Sequence, residues 1–302
     1  TRYNNEAAIG LYTSNDLSVW TPQEPLYTET SPLNLEVTDF IQLDGHEFIV
    51  YSDQRDEEHT VKYLVKENGV WVKPTMDSLD GRRFYAAKSA GSSTDKLLMA
   101  WVAGSDGRSD SGSEEFGGNF MAHQLDVTND GQLAVKMPEL YREALVNVLS
   151  TSSASASGNV TENSGEVNIP AGSHMLLASE ASKNRLSFTI NSDNESAIFG
   201  VQFKDTSDNS EHFVEINGTT NEVTFYNKDD RSNTANPQVL STIDPLLGVN
   251  IEILLDPVQG IGAVYVNDFR ALSFRLYDLA TSEVGVYAQS DDISVSGITR
   301  FK

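Results

Sequence analysis

The sequence has 302 residues, with 21 Lys and Arg against 44 Asp and Glu, a formal net charge of −23. A surface that acidic repels phosphate backbones and anionic lipid, which argues against nucleic acid and membrane surfaces as partners. The absence of cysteine excludes disulfides, thiolate metal sites and cysteine nucleophiles, and no apolar run approaches the roughly 18 residues that span a bilayer.

The length suits two domains and can bury a core without covalent staples. Read from its start, Thr1-Arg2-Tyr3-Asn4-Asn5-Glu6 contains no apolar signal-peptide segment. The composition suits a secreted or periplasmic protein. The pattern is β almost throughout. Phe40 to Leu43 and His46 to Tyr51 flank Asp44-Gly45, and Val61 to Val65 and Val70 to Val72 flank Asn68-Gly69; both pairs read as tight hairpins. Leu97 to Val102 is a short buried run. Met121 to Val127 and Gln132 to Val135 flank Asn129-Asp130-Gly131, another hairpin. Helical periodicity is nearly absent; Pro138 to Leu149 reads as a short helix or an irregular connector, where Glu139, Leu140, Tyr141, Leu145 and Val146 can share a face. Residues 150–165 are Ser, Ala, Thr and Asn with little to bury and read as a linker or surface loop. Beyond them, alternating runs from Leu186 to Leu276 suit a two-sheet sandwich. The reading is an all-β chain with one domain over 1–149 and a second over 150–302. Gly172-Ser173-His174-Met175 matches a tag-cleavage scar but lies inside a strand-like run, so coincidence explains it.

Most chemical motifs are missing. There is no phosphate-binding GxxxxGK[ST] loop and no GxGxxG after a strand. The five histidines (His46, His59, His123, His174, His212) are scattered and read as surface or packed imidazoles rather than ligands. Asp106, Asp110 and Glu114 recur at four-residue spacing in a Gly/Ser loop. They read as a solvated acidic loop, because the EF-hand pattern for calcium is absent. No cofactor or metal is expected. What remains is carboxylates in a β framework, the usual equipment of glycoside hydrolysis. Glu36 stands between Leu35 and Val37 at the head of an apolar strand. It is either a partly desolvated general acid or an edge-strand carboxylate facing water.

The order of blocks carries a resemblance. Ala8 to Trp20, ending Ser14-Asn15-Asp16-Leu17-Ser18-Val19-Trp20, looks like the SxDLxxW segment of clan J propeller glycosidases. Glu36-Val37-Thr38-Asp39-Phe40-Ile41-Gln42-Leu43-Asp44-Gly45 resembles the ECPDLFxLDG block of glycoside hydrolase family 32, the invertases, inulinases and levanases. Arg83-Phe84-Tyr85-Ala86-Ala87-Lys88 is similar to that family's DFYAxxS, Met99-Ala100-Trp101 to its GW strand, and Gly117 to Leu125 to a late propeller strand. Residues 151–302 resemble the family's C-terminal β-sandwich. The resemblance implies part of a five-bladed β-propeller followed by a β-sandwich, hydrolysing fructosyl bonds with retention. It implies Glu36 as the general acid/base, Asp39 as a carboxylate that orders the loop, and Tyr85 and Trp101 as lining for a fructose pocket. Trp101 and Tyr85 can also be read as plain core.

The departures are equally specific. Val37 and Thr38 replace the block's Cys and Pro. Arg83 replaces an Asp expected to hold sugar hydroxyls, and an arginine cannot accept hydrogen bonds. The family's NDPNG nucleophile block and RDP stabiliser block do not occur; Arg55-Asp56-Glu57 and Asn15-Asp16-Leu17 are echoes in the wrong order. About 140 residues cannot make five four-stranded blades at roughly 5–6 residues per strand plus turns, so the sequence suggests blades three to five plus the sandwich. The expectation is a family-32-type glycosidase portion that carries the acid/base and lacks the nucleophile. It takes a fructan or sucrose-like oligosaccharide, with a missing N-terminal segment, partner chain or second copy covering the open propeller. The alternative is a non-catalytic carbohydrate-binding or scaffold protein with a degenerate propeller.

Overall fold

The computed structural model describes residues 1–302 except 32, 56–58, 111, 227–238 and 241–245. Two four-stranded antiparallel sheets form propeller blades. The first runs Leu35–Leu43, His46–Asp53, Val61–Glu67 and Val70–Val72, and the second Phe84–Gly91, Lys96–Ser105, Glu114–Val127 and Leu133–Lys136. Ahead of them a three-stranded sheet (Arg2–Tyr3, Glu6–Ile9, Tyr27–Glu29) and a hairpin of Tyr12–Thr13 with Thr21–Pro22 fill the opening segment. The hairpin turns sit where the sequence put them, because only their residues tolerate the geometry. Asp44 and Gly45 take φ of 46° and 80°, and Asn68 and Gly69 take 50° and 83°, the paired left-handed conformations of a two-residue hairpin. The SxDLxxW segment is a local hydrogen-bonded turn. Ser14 Oγ accepts from the Leu17 N–H at 2.8 Å, and Asp16 Oδ1 accepts from the Ser18 and Val19 N–H groups at 2.8 and 2.9 Å.

After Lys136 the chain makes one short helix, Glu139–Ala144, within the stretch read as a short helix or connector. The sandwich follows, with seven strands in each of two antiparallel sheets. Strand Asn184–Ser192 alternates buried and half-buried positions along its whole length, the period of a sheet with one face in the core. The inner faces carry Phe188, Phe199, Phe203, Phe225 and Phe274, with Phe225 and Phe274 stacked at 5.3 Å. The Ser-rich stretch departs from the linker expectation: Ser153–Ala156 and Thr161–Asn163 are strands, paired to Ser173–Leu177 and Glu166–Ile169. Backbone pairing needs no apolar side chain, so composition alone did not reveal them. Met175, in the scar-like tetrapeptide, packs in the sandwich core.

Strands Ile261–Val266 and Arg270–Arg275 are buried at every position. One face looks into the sandwich and the other packs on the propeller, so Leu254, Ile261, Ala263, Tyr265 and Ala271 share a core with Phe48, Val50, Phe84, Leu98 and Val102. Polar groups cross the same junction. Fully buried Asp80 accepts from the Ser273 N–H and Oγ (both 2.6 Å) and contacts His123 Nε2 at 2.7 Å, while His123 Nδ1 meets Tyr265 Oη at 2.9 Å. Arg270 donates to Leu133 O and Met76 O, and Arg275 to Ala103 O and Val102 O. Buried charges bonded on both sides of a boundary fix its register. No helix among the described residues is long and apolar enough to cross a membrane.

Candidate active site

The site is built where the innermost strands of the two blades meet. Each carries a β-bulge at the same level. In Leu35–Leu43, Glu36 pairs with Ser52 but Asp39 pairs with Val50, so Val37 and Thr38 oppose Tyr51 alone. In Phe84–Gly91, Tyr85 pairs with Trp101 but Lys88 with Met99. Each bulge includes a non-glycine residue at positive φ, Val37 at 52° and Ala86 at 58°. A β-branched residue there is strained, and bulges of this kind re-aim side chains. Directly opposed residues share a face, so the first bulge puts both Glu36 and Asp39 on the side facing the next blade.

Glu36 lines an open cleft of about 450 Å³ with Asn34, Val37, Tyr85, Trp101 and Phe116. Tyr85 donates from Oη to Glu36 Oε2 at 3.0 Å. Burial, and after it the charge of Glu36, pushes the Tyr85 phenol well above its ordinary range. Tyr85 is only 3% exposed. The His59 ring lies on it at 4.1 Å, 14° from parallel, so it offers the cleft a hydroxyl rather than a ring face. Trp101 stands 6.1 Å from Tyr85, and Phe116, 88% exposed, meets Trp101 edge-on at 5.1 Å.

The structure therefore brings together Glu36, Tyr85 and Trp101. Asp39 and Arg83 are not among the residues lining the cleft. Asp39 Oδ2 accepts from the N–H and Oγ of Ser89, both at 2.7 Å, and so ties one blade to the next. Arg83 donates to Gly104 O and Ser105 Oγ at 3.1 and 3.0 Å and sits 4.0 Å from Glu114. Burial lowers the Arg83 guanidinium and raises the Glu114 carboxyl. Asp106, Asp110 and Glu114 diverge: Asp110 accepts from the Tyr277 N–H, Glu114 lies 3.3 Å from Arg82, and Asp106 is exposed. Among the described residues no three His, Asp or Glu side chains converge as a metal site. Asp56 and Glu57, part of the RDP echo, lie outside the described residues. Sequence reasoning missed His59 and Phe116 at this site; nothing in their spacing marks them, because only the fold brings residues 59, 85 and 116 together.

The cleft thus joins one carboxylate to flanking aromatics, in a propeller packed on a sandwich. Residues 1–136 match the family model described as the glycosyl hydrolases family 32 N-terminal domain. The whole chain resembles the C-terminal part of family-32 glycoside hydrolases, the last propeller blades and the sandwich. Over 99% of its length it superposes on 61% of the GH32 β-fructofuranosidase BmSUC1 of Bombyx mori, with 12% identity and a TM-score of 0.65. Against an Aspergillus kawachii β-fructofuranosidase, 98% of the chain covers 65% of that structure at 14% identity and a TM-score of 0.70. For the sucrose-6-phosphate hydrolase of Lactobacillus gasseri the shares are 99% and 61%, with 11% identity and a TM-score of 0.67. At such identities the likeness is one of fold, and the chain spans less than two thirds of each structure. No curated protein sequence matches it.

Proposed function

We propose that this chain is the acid/base-bearing portion of a family-32-type glycosidase acting on fructosyl linkages. The observation that carries the reading is Glu36, held by Tyr85 in a cleft beside Trp101. Glu36 serves as general acid to the leaving-group oxygen and then as base to water, and Trp101 packs against the sugar ring. Retention requires a second carboxyl about 5–5.5 Å from the first. Glu36 is the only carboxylate among the described residues that line the cleft, so the nucleophile comes from outside them. The β-fructofuranosidase, exo-inulinase and sucrose-6-phosphate hydrolase neighbours point to fructosides as the substrate class. Exposed Leu17, Val19, Trp20, Phe116 and Phe120 are apolar groups that a further propeller segment, a partner chain or a second copy would cover.

The test is pure chain incubated with sucrose, inulin and levan. No turnover is expected. Turnover that vanishes in Glu36→Gln would overturn the missing-nucleophile reading and place a nucleophile within the chain. A second reading, a binding or scaffold protein with a degenerate propeller, is favoured by Arg83, whose guanidinium is spent on backbone carbonyls where the family pattern has an acceptor. Calorimetry separates the two. Fructan binding by a compact monomer supports the binding protein. Recovery of hydrolysis on adding a chain that carries the nucleophile block supports the enzyme.

A further inference from the structure

We propose that His59 and Tyr85 act as a stacked pair that positions the Glu36 carboxyl. The inference takes its functional meaning from the glycosidase reading but stands on geometry of its own. Among the described residues, Tyr85 is the only hydrogen-bond donor to the Glu36 carboxyl, and it reaches one oxygen, Oε2, at 3.0 Å. A carboxyl tied through one oxygen keeps the other for a ligand, with its plane set by the donor. The aim is therefore only as firm as the Tyr85 ring.

Two things hold that ring. The first is backbone. Ala86, the next residue, donates its N–H to Ser52 Oγ at 3.1 Å, and Ser52 is the ladder partner of Glu36. Glu36, Ser52, Ala86 and Tyr85 thus form a closed circuit of contacts between two blades. The second is His59, whose ring covers Tyr85 at 4.1 Å and 14°. The circuit fixes the Tyr85 backbone, and the stack restricts rotation of its side chain. Burial and the neighbouring Glu36 charge keep the phenol protonated as a donor. His59 acts through Tyr85 and is a positioning residue.

The test uses the whole chain with tyrosines labelled at ¹³Cζ, a resonance that reports phenol hydrogen bonding. Tyr85→Phe assigns the Tyr85 signal, and Glu36→Gln gives its position when the acceptor is weakened. Loss of the flat ring in His59→Gln should move the signal toward its Glu36→Gln position. His59→Phe, which keeps the ring, should leave it at the wild-type position. Should His59→Gln not fold, His59→Leu carries the same readout. An unmoved signal in the ring-less variant overturns the proposal, as does an equal shift in His59→Phe. Addition of a chain that carries the nucleophile block, with sucrose and inulin as substrates, is run beside it. A failure to recover hydrolysis there sinks the glycosidase reading without touching the positional result.

Discussion

Replacing Asp80 by Ala tests whether the propeller and sandwich fold as one unit. Asp80 is fully buried and receives the Ser273 N–H, the Ser273 hydroxyl, His123 Nε2 and the Gly81 N–H. Asp80→Ala takes the acceptor from these groups and leaves among them only the 3.3 Å contact between Ser273 Oγ and His123 Nε2. At roughly 1–3 kcal/mol for each of the three donors left without an acceptor, the loss is at least about 3 kcal/mol. That is a large share of a typical domain stability of about 5–15 kcal/mol. Urea unfolding reads it directly. With a slope of about 3 kcal/mol/M, the upper end of the usual range for small proteins, the midpoint falls by about 1 M or more. The three tryptophans, Trp20, Trp71 and Trp101, all lie ahead of the sandwich. Tryptophan fluorescence therefore follows the propeller, while far-ultraviolet circular dichroism follows both parts. In the wild type the two transitions should coincide, and in Asp80→Ala they should separate. A loss under about 1 kcal/mol, or transitions that stay superimposed, would show that the shared apolar core couples the domains without the polar cluster.

Val37→Gly should be neutral or stabilising by up to about 1.5 kcal/mol in the same assay. It releases about 1–2 kcal/mol of left-handed strain against roughly 0.5–1 kcal/mol of added backbone freedom; a clear loss would refute strain at that bulge. Gly118→Ala should lower the melting temperature, because a Cβ there would lie 1.8 Å from Val102 O on the adjacent strand, and forced overpacking costs about 1–3 kcal/mol; an unchanged melt would deny that close approach. Glu180 is held at about 2, below its ordinary 4.5, chiefly by the Ser182 hydroxyl and then by the Ser182 N–H and Lys302. With the folded-state value depressed, its stabilising contribution is complete above about pH 4.5 and is lost as pH falls toward 2. Glu180→Gln should therefore flatten the stability–pH curve in that window, and an identical curve would refute it.

The hairpins were legible because Asp44-Gly45 and Asn68-Gly69 leave a two-residue turn few alternatives. The sandwich was legible from alternation in runs such as Leu186 to Ile190. Glu36 could be singled out because its block has a distinctive order. Arg83, which stands where the family pattern has a sugar-holding Asp, donates to Gly104 O and Ser105 Oγ on the next strand of its own blade, a partnership that the residue type alone does not announce. Ser153 to Ala156 gave no apolar signal, since an edge strand can be held by its backbone alone. The Asp80–His123–Ser273 cluster joins residues far apart in the chain, and no local pattern marks such a contact.

The bulge between Glu36 and Asp39 makes chain length a variable as consequential as residue identity. In a regular strand, positions three apart point to opposite faces; here both face the neighbouring blade and bond to Tyr85 and Ser89. A one-residue deletion at 37 or 38 would restore a regular ladder with the two carboxylates two positions apart and still on one face, whereas straightening the strand with all its residues kept would turn one of them away from that blade. An alignment with a strand that lacks the extra residue therefore needs a gap at 37 or 38 to keep Glu36 and Asp39 matched to a same-face pair.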